Sequence, residues 1–252
     1  MNDKLLKEWN TTFVALAPKV HNSKEVSNFR PISLCNTSYK IITKMLASRL
    51  KPLMPNLISH NQNGFIKGRL IQGGIITVHE AIHSALLAKS PGMILKLDMQ
   101  KAFDRVSWPF LIKTLEKFGF DKKWCSWILA CVSTPCFSIL INGIPAGFFK
   151  SSRGIRQGDP LSPFLFVLMA DSLSRALDAA KNQSIISGMK ITSNCPSATH
   201  SQFADDTLLL SLASVIEARA IMDILSLYQS ASHQIVNFTK SSISFINTPP
   251  RV

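Results

Sequence analysis

The stretch Phe203-Ala204-Asp205-Asp206-Thr207-Leu208-Leu209-Leu210 constrains this chain more than any other. Two adjacent carboxylates stand inside an apolar, strand-forming run. Placing two negative charges together in such surroundings costs free energy unless something positive compensates them. A hard divalent cation is the natural partner, because such cations take carboxylate oxygens. Residues 199–211 accordingly read as two short strands whose connecting turn contains Ala204-Asp205-Asp206. Half of a metal site in this position asks for a third acid elsewhere in the chain.

That acid should lie at a strand end able to sit beside the turn, and Asp98 fits. Met93-Ile94-Leu95-Lys96-Leu97-Asp98 reads as a buried strand ending in a carboxylate. One strand-end acid plus a turn pair can hold two metal ions about 3.5–4 Å apart, one lowering the pKa of an attacking hydroxyl and one stabilising the leaving oxygen. Taken alone, Asp98 reads equally as a helix cap or a salt-bridge partner, and Asp-Asp pairs are common in exposed turns.

The bulk of the chain narrows the class. With 252 residues and 46% apolar composition it is long enough for a sizeable core and is globular rather than disordered. Lys and Arg exceed Asp and Glu by 28 to 15, a net charge of +13 spread along the chain. Such an excess means a polyanion partner or a solubilising surface. The cysteines Cys35, Cys125, Cys131, Cys136 and Cys195 fit neither a metal knuckle nor a disulfide framework, so a reduced, intracellular protein is expected. The N-terminus shows no apolar signal region. The longest apolar stretch, Trp127 to Ile144, is interrupted by Pro135 and Asn142-Gly143, so no membrane span is expected.

Periodicity predicts mixed elements. Phe13-Val14-Ala15-Leu16 reads as a strand stopped by Pro18. Asn36 or Thr37 caps a helix through Ile41, Ile42, Met45, Leu46 and Leu50, ended by Pro52, and residues 73–89 make a second amphipathic helix. Ser107 and Pro109 open another helix that Gly119 closes. Asn142-Gly143 is a hairpin signal. Pro160 to Ala180 reads as a long apolar helix, Ser214-x-x-Glu217 as a capping box opening a helix to about Ser230, and Ile235 to Ile246 as strands. Strands and helices without strict alternation suggest an α+β fold, with an antiparallel sheet and helices on one face.

Four ordered stretches supply the context: Phe29-Arg30-Pro31-Ile32-Ser33-Leu34, Leu97-Asp98-Met99-Gln100-Lys101-Ala102-Phe103-Asp104, Arg156-Gln157-Gly158-Asp159-Pro160-Leu161-Ser162-Pro163 and Phe203-Ala204-Asp205-Asp206. Together they resemble the reverse transcriptases of LINE-type (non-LTR) retrotransposons, with linking stretches similar to plant members. The resemblance spans about Thr12 to Phe245. It implies a right-hand polymerase with fingers and a ferredoxin-like palm sheet packed on helices. Residues 1–91 would be mainly fingers, 92–121 palm, 122–155 a fingers/palm hairpin region and 156–252 palm, with the thumb absent. The implied reaction is RNA-directed DNA polymerisation: a primer 3′-OH attacks the α-phosphate of a dNTP. The implied partners are an RNA template, a DNA primer and dNTPs, and the implied cofactor is a pair of Mg²⁺ ions, with Mn²⁺ as a substitute. Genomic DNA as primer implies the nucleus.

Carried over position by position, Asp98, Asp205 and Asp206 are the catalytic metal-binding acids, and the backbone carbonyl of Met99 adds a ligand. Phe103 matches the aromatic gate against a ribose 2′-OH; its alternative is a core aromatic. Lys19 and Arg30 match cations that contact the triphosphate. Gln157-Gly158 matches the loop against the nascent base pair, and Arg156 is expected at the template or triphosphate, its alternative being a surface role. Lys240 matches a lysine that protonates pyrophosphate; its alternative is a surface lysine. Asp159 reads as a cap of the helix begun by Pro160, and Asp104 as structural.

His79-Glu80-Ala81-Ile82-His83 is literally H-E-x-x-H, which on a helix puts two histidines on one face as in zinc proteases. No third ligand follows at a suitable place, so the zinc reading is set aside. The chain departs from the family at Gly73-Gly74, where Asp-Asn is common, and at His233, where glycine is usual. Two glycines are expected to loosen the helix start, and a histidine in a positive-φ turn to be strained. Without a thumb the chain looks like a truncated element copy or a gene-model fragment. The alternative function is therefore a catalytically inactive, basic, nucleic-acid-binding relic.

Overall fold

The computed structural model describes residues 5, 6, 8–192 and 195–248. In chain order the elements are β1 (Thr11–Pro18), β2 (Phe29–Cys35), α1 (Thr37–Leu50), α2 (Met54–Leu57), α3 (Ile71–Leu87), β3 (Gly92–Leu97), α4 (Trp108–Lys117), α5 (Lys122–Ser133), β4 (Cys136–Ile141), β5 (Ile144–Phe149), α6 (Ser162–Asn182), β6 (His200–Phe203), β7 (Asp206–Leu212), α7 (Val215–Ser232) and β8 (Ser242–Ile246). They fall into two compact units, one of residues 1–52 and 103–166, the other of residues 53–102 and 167–252.

The first unit is built on a mixed sheet in the order β2-β1-β4-β5. Strand β1 pairs antiparallel with β2 and parallel with β4, and β4 returns as β5. The return is the expected Asn142-Gly143 turn, with φ of 51° and 82° at its two residues. Positive φ at both central positions is the type I′ geometry whose twist matches paired strands. Helix α1 starts where expected, with the Asn36 side chain accepting from the Ser38 N–H. Helix α4 starts at the Ser107 cap and stops at Gly119, whose φ is 87°.

The second unit is built on an antiparallel sheet in the order β6-β7-β3-β8. The chain sequence β3-α6-β6-β7-α7-β8 with that strand order is the expected ferredoxin-like arrangement. Residues 103–166 are inserted in its first crossover. On one face, Val78, Ala81 and Ala85 of α3 pack with Leu210 and Ile246, and Ile94 and Leu208 flank the cluster. The other face carries Leu95, Leu209 and His200, which are register partners across three strands. There α6 meets the sheet, with Ser174 hydrogen-bonded to His200.

Several expectations need correcting. Helix α6 begins at Ser162, two residues beyond Pro160, because the Asp159 carboxylate accepts from Ser162 Oγ and holds the entering chain in place. The capping box is half formed: Ser214 Oγ accepts from the Glu217 N–H, but Glu217 turns its carboxylate to the Ser211 hydroxyl and the Leu212 N–H. Only Ser242–Ile246 of the expected C-terminal strands pairs regularly, since residues 237–241 turn back on themselves. The segment before that strand meets residues 98–100 instead. Gly74 is more than a loosened helix start. A Cβ there would lie 2.6 Å from Ser201 Oγ, so its bareness lets α3 approach β6 closely. His233 does adopt the left-handed conformation, at φ 61°.

His200 is 1% exposed, with Nδ1 2.9 Å from Thr199 Oγ1. Burial, aided by the Lys181 charge, pushes its pKa down to about 4 from the ordinary 6.5. The unfolded chain therefore binds a proton between those values that the folded one does not. Stability should be full above pH 6.5 and fall as pH drops through 6.5 toward 4, by up to about 3 kcal/mol. Urea unfolding across that range checks this, and a His200→Gln variant should show a flatter profile.

Candidate active site

The ladder between β3 and β7 ends at the pair Leu97↔Thr207. Asp98 follows Leu97, and Asp206 precedes Thr207 as the first residue of β7. The antiparallel pairing therefore delivers both acids to the same end of the sheet. Asp205 stands in the two-residue turn closed by Phe203↔Asp206, next to Ala204 at φ 56°.

Asp98 is held on three sides. Its N–H donates to Ser241 Oγ at 3.1 Å, its carbonyl accepts from the Asn237 N–H at 2.8 Å, and its Oδ2 accepts from Asn237 Nδ2 at 3.2 Å. Met99 is buried and bridged to Val236. Burial pushes the Asp205 carboxyl up from its ordinary value, and the neighbouring charges of Asp206 and Asp98 push the same way. A backbone N–H offsets part of this. Among the described residues no Lys or Arg is ion-paired with any of the three acids.

The donor set therefore suits a divalent cation: hard oxygen ligands with uncompensated negative charge. As they stand, no three His, Cys, Asp or Glu side chains among the described residues converge closely enough to hold a metal ion. This applies also to His79 and His83, which are both exposed on α3.

The first unit carries several of the expected substrate-contacting residues. The Phe103 ring stacks on Phe166 with centroids 4.9 Å apart and planes at 7°. The Phe103 carbonyl accepts from the Ile155 N–H at 2.9 Å, and the Trp108 indole donates to the Gly154 carbonyl at 2.7 Å. These bonds tie residues 103–108 to the loop that carries Gln157 and Gly158. The Gln157 carbonyl accepts from the Ser33 N–H at 2.9 Å, and its Nε2 donates to Asp104 Oδ1 at 3.4 Å. Gly158 has φ 98°, and a Cβ there would lie 3.3 Å from the Ser33 carbonyl oxygen. Arg30 is exposed on β2. Lys19 is exposed too, and its Nζ closes its own loop by donating to the Ser27 carbonyl at 2.8 Å.

Two further residues of this unit are buried. Arg156 is 5% exposed; its guanidinium lies 3.7 Å from the Tyr39 ring centroid and donates to Thr12 Oγ1 and to the Cys131 carbonyl. It is tied into the interior of its unit, because the planar guanidinium satisfies an aromatic face and two acceptors at once. Asp159 is equally buried, which raises its pKa, with Thr43, Arg156, Ser162 and the Leu161 N–H opposing the shift.

The reverse transcriptase (RNA-dependent DNA polymerase) family matches residues 18–250. The chain belongs to the reverse transcriptase family. Relatives include a transposon TX1 149 kDa protein of Xenopus laevis, 28% identical over 91% of this chain and 17% of that protein. A Pol polyprotein from the type-1 retrotransposable element R2 of Popillia japonica is 29% identical over 80% of this chain and 27% of the relative. The chain thus spans about a quarter or less of either relative. Among solved structures, the apo telomerase of Candida tropicalis superposes with a TM-score of 0.66 at 12% identity, covering 98% of this chain and 52% of that one. A Candida albicans telomerase solved with telomeric RNA gives 0.63 at 14% identity, covering 96% and 43%. At these identities the likeness shows the fold alone.

In this reverse transcriptase domain, sequence reasoning missed Asn237 and Ser241, which hold Asp98, and Gln62, which is fully buried against the acid turn. Their signal is weak, because short polar residues in turns are common. A double-mutant cycle with Asn237→Ala and Asp98→Ala should show roughly 1–2 kcal/mol of coupling in urea unfolding, the worth of a hydrogen bond to a charged group.

Proposed function

We propose that this chain is the fingers–palm part of an RNA-directed DNA polymerase, joining a dNTP to a primer 3′-OH on an RNA template. The observation that carries the reading is the β3–β7 ladder, which brings Asp98 to the sheet end that holds Asp205 and Asp206. In this reading the antiparallel-sheet unit is the palm and the mixed-sheet unit the fingers. Asp98, Asp205, Asp206 and the Met99 carbonyl would hold two Mg²⁺ ions, or Mn²⁺. Ions bound there lower the pKa of the primer hydroxyl and stabilise the leaving oxygen. The hydroxyl oxygen bonds to the α-phosphorus, the bond to the β-phosphate oxygen breaks, and pyrophosphate departs.

The remaining groups bind and orient. Arg30 and Lys19 offer donors to the triphosphate, consistent with their exposure. Gln157 and Gly158 bring backbone close to the nucleotide, a role that suits the positive φ at Gly158. Phe103, steadied by its stack on Phe166, occupies the space a 2′-hydroxyl needs. Lys240 is exposed and free to turn toward the leaving pyrophosphate as proton donor. Arg156 has no part in this, being committed inside its own unit. Among the described residues no helix is long and apolar enough to cross a membrane. Priming from genomic DNA implies action in the nucleus.

Primer extension on an RNA template tests the reading. The protein should extend, and Asp205→Asn should lose extension by at least about a hundredfold. Equal extension by both would sink the assignment. RNA binding that weakens with salt, without extension by either, would favour the inactive nucleic-acid-binding reading. In an active preparation, Phe103→Ala should raise the ratio of rNTP to dNTP incorporation by about tenfold or more, measured in competition.

A further inference from the structure

We propose that Gln62 is a positioning residue for the acid turn, fixing Asp205 and Asp206 through both backbone polar groups of Ala204. This rests on the metal-binding role proposed above for those acids. The turn needs such support. The pair Phe203↔Asp206 leaves Ala204 and Asp205 as its central residues, and only Ala204 of the two has positive φ, at 56°. That is the pattern of a type II′ turn, which favours glycine at its first central position and strains an alanine. Ala204 is 6% exposed, so its N–H and C=O have little access to water. Neither group takes part in the β6–β7 ladder.

One side chain satisfies both. Gln62 Oε1 accepts from the Ala204 N–H at 2.8 Å, and Gln62 Nε2 donates to the Ala204 carbonyl at 3.2 Å. The amide is 0% exposed, and its oxygen also accepts from the Gly64 N–H at 2.8 Å. The backbone around it is fastened to β6: the Gln202 N–H donates to the Asn61 carbonyl and the Asn63 N–H to the Gln202 carbonyl, each at 2.8 Å. Gly64 closes against the turn so tightly that a Cβ there would lie 2.5 Å from the Ala204 nitrogen.

The segment is itself held. Arg69 gathers it by donating to the carbonyls of Pro55 at 3.1 Å, Ile58 at 2.9 Å and Gln62 at 2.8 Å, and also to that of Ser59. Rotation about Ala204 carries the next two residues with it. Gln62 therefore sets where the two carboxylates point, while the ladder of β7 with β3 stands on its own hydrogen bonds.

The test compares wild type with Gln62→Leu, Gln62→Glu and Asp205→Asn, after urea unfolding confirms that each is folded. Free Mn²⁺ is read by electron paramagnetic resonance, and amide exchange by NMR. Gln62→Leu should weaken Mn²⁺ binding about tenfold, as loss of a partner behind a ligand does. It should also speed exchange of the Ala204 and Gly64 amides while leaving Leu209 and Leu210 protected. Gln62→Glu, which keeps the acceptor and loses the donor, should fall between wild type and Gln62→Leu. Equal Mn²⁺ affinity in wild type and Gln62→Leu, with Asp205→Asn weaker, overturns the inference and leaves the metal reading standing. Equal affinity in all four proteins overturns the metal reading, and the inference with it.

Discussion

Like charges brought together at the end of a sheet repel, and the second unit is arranged around managing that repulsion. Strand β3 runs against β7 from Gly92↔Leu212 to Leu97↔Thr207, and the two strands end in acids at the same place. The energy for this comes from the apolar faces behind them, where Leu95 and Leu209 lie on one side and Leu210 packs with α3 on the other. Neutral hydrogen-bonding groups then hold the acids individually: Asn237 and Ser241 hold Asp98, and the backbone of the acid turn meets Gln62. Holding carboxylates with amides and hydroxyls, without ion pairs among the described residues, leaves their charge available. That is the electrostatic condition a divalent cation answers.

The first unit solves a different problem, that of presenting a loop without letting it collapse. Its interior cation is Arg156, stacked on Tyr39 and bonded to Thr12 and Cys131, with Asp159 nearby as the buried acid. These neighbours anchor both sides of Gln157-Gly158. The Ser33 N–H and the Trp108 indole complete the hold through backbone carbonyls. A basic residue beside an exposed glycine in an otherwise reactive-looking motif thus serves the interior. Burial decides its role, and burial depends on the helix and strands that surround it.

Much of this was legible in the residues. Asn142-Gly143 between alternating strands, the Asn36 and Ser107 caps, and the acid pair between two apolar runs are local signals, and each formed as read. The errors fell where a polar side chain had a choice of partners. Glu217 could have closed a capping box, but buried Ser211 offered it a hydroxyl. Helix α5 was not anticipated, although Asp121 caps it, because the apolar run containing it reads without clear period. Residues 235–241 carry strand-like residues, yet Asn237 turns the chain to meet Asp98.

The sequence by itself determined the family, because residue identity and order along the chain suffice for it. It also determined the turns and caps, whose geometry is set within four residues. Only the tertiary structure decided that Gln62, Asn237 and Ser241 hydrogen-bond to Asp98 or the acid turn and that Arg156 packs on Tyr39. Gln62 and Ala204 are 142 positions apart in the chain, and Asn237 and Asp98 are 139 apart. No local pattern marks such a partnership. It exists because packing brings particular donors and acceptors together where water is excluded, and there an unmet hydrogen bond costs too much to leave.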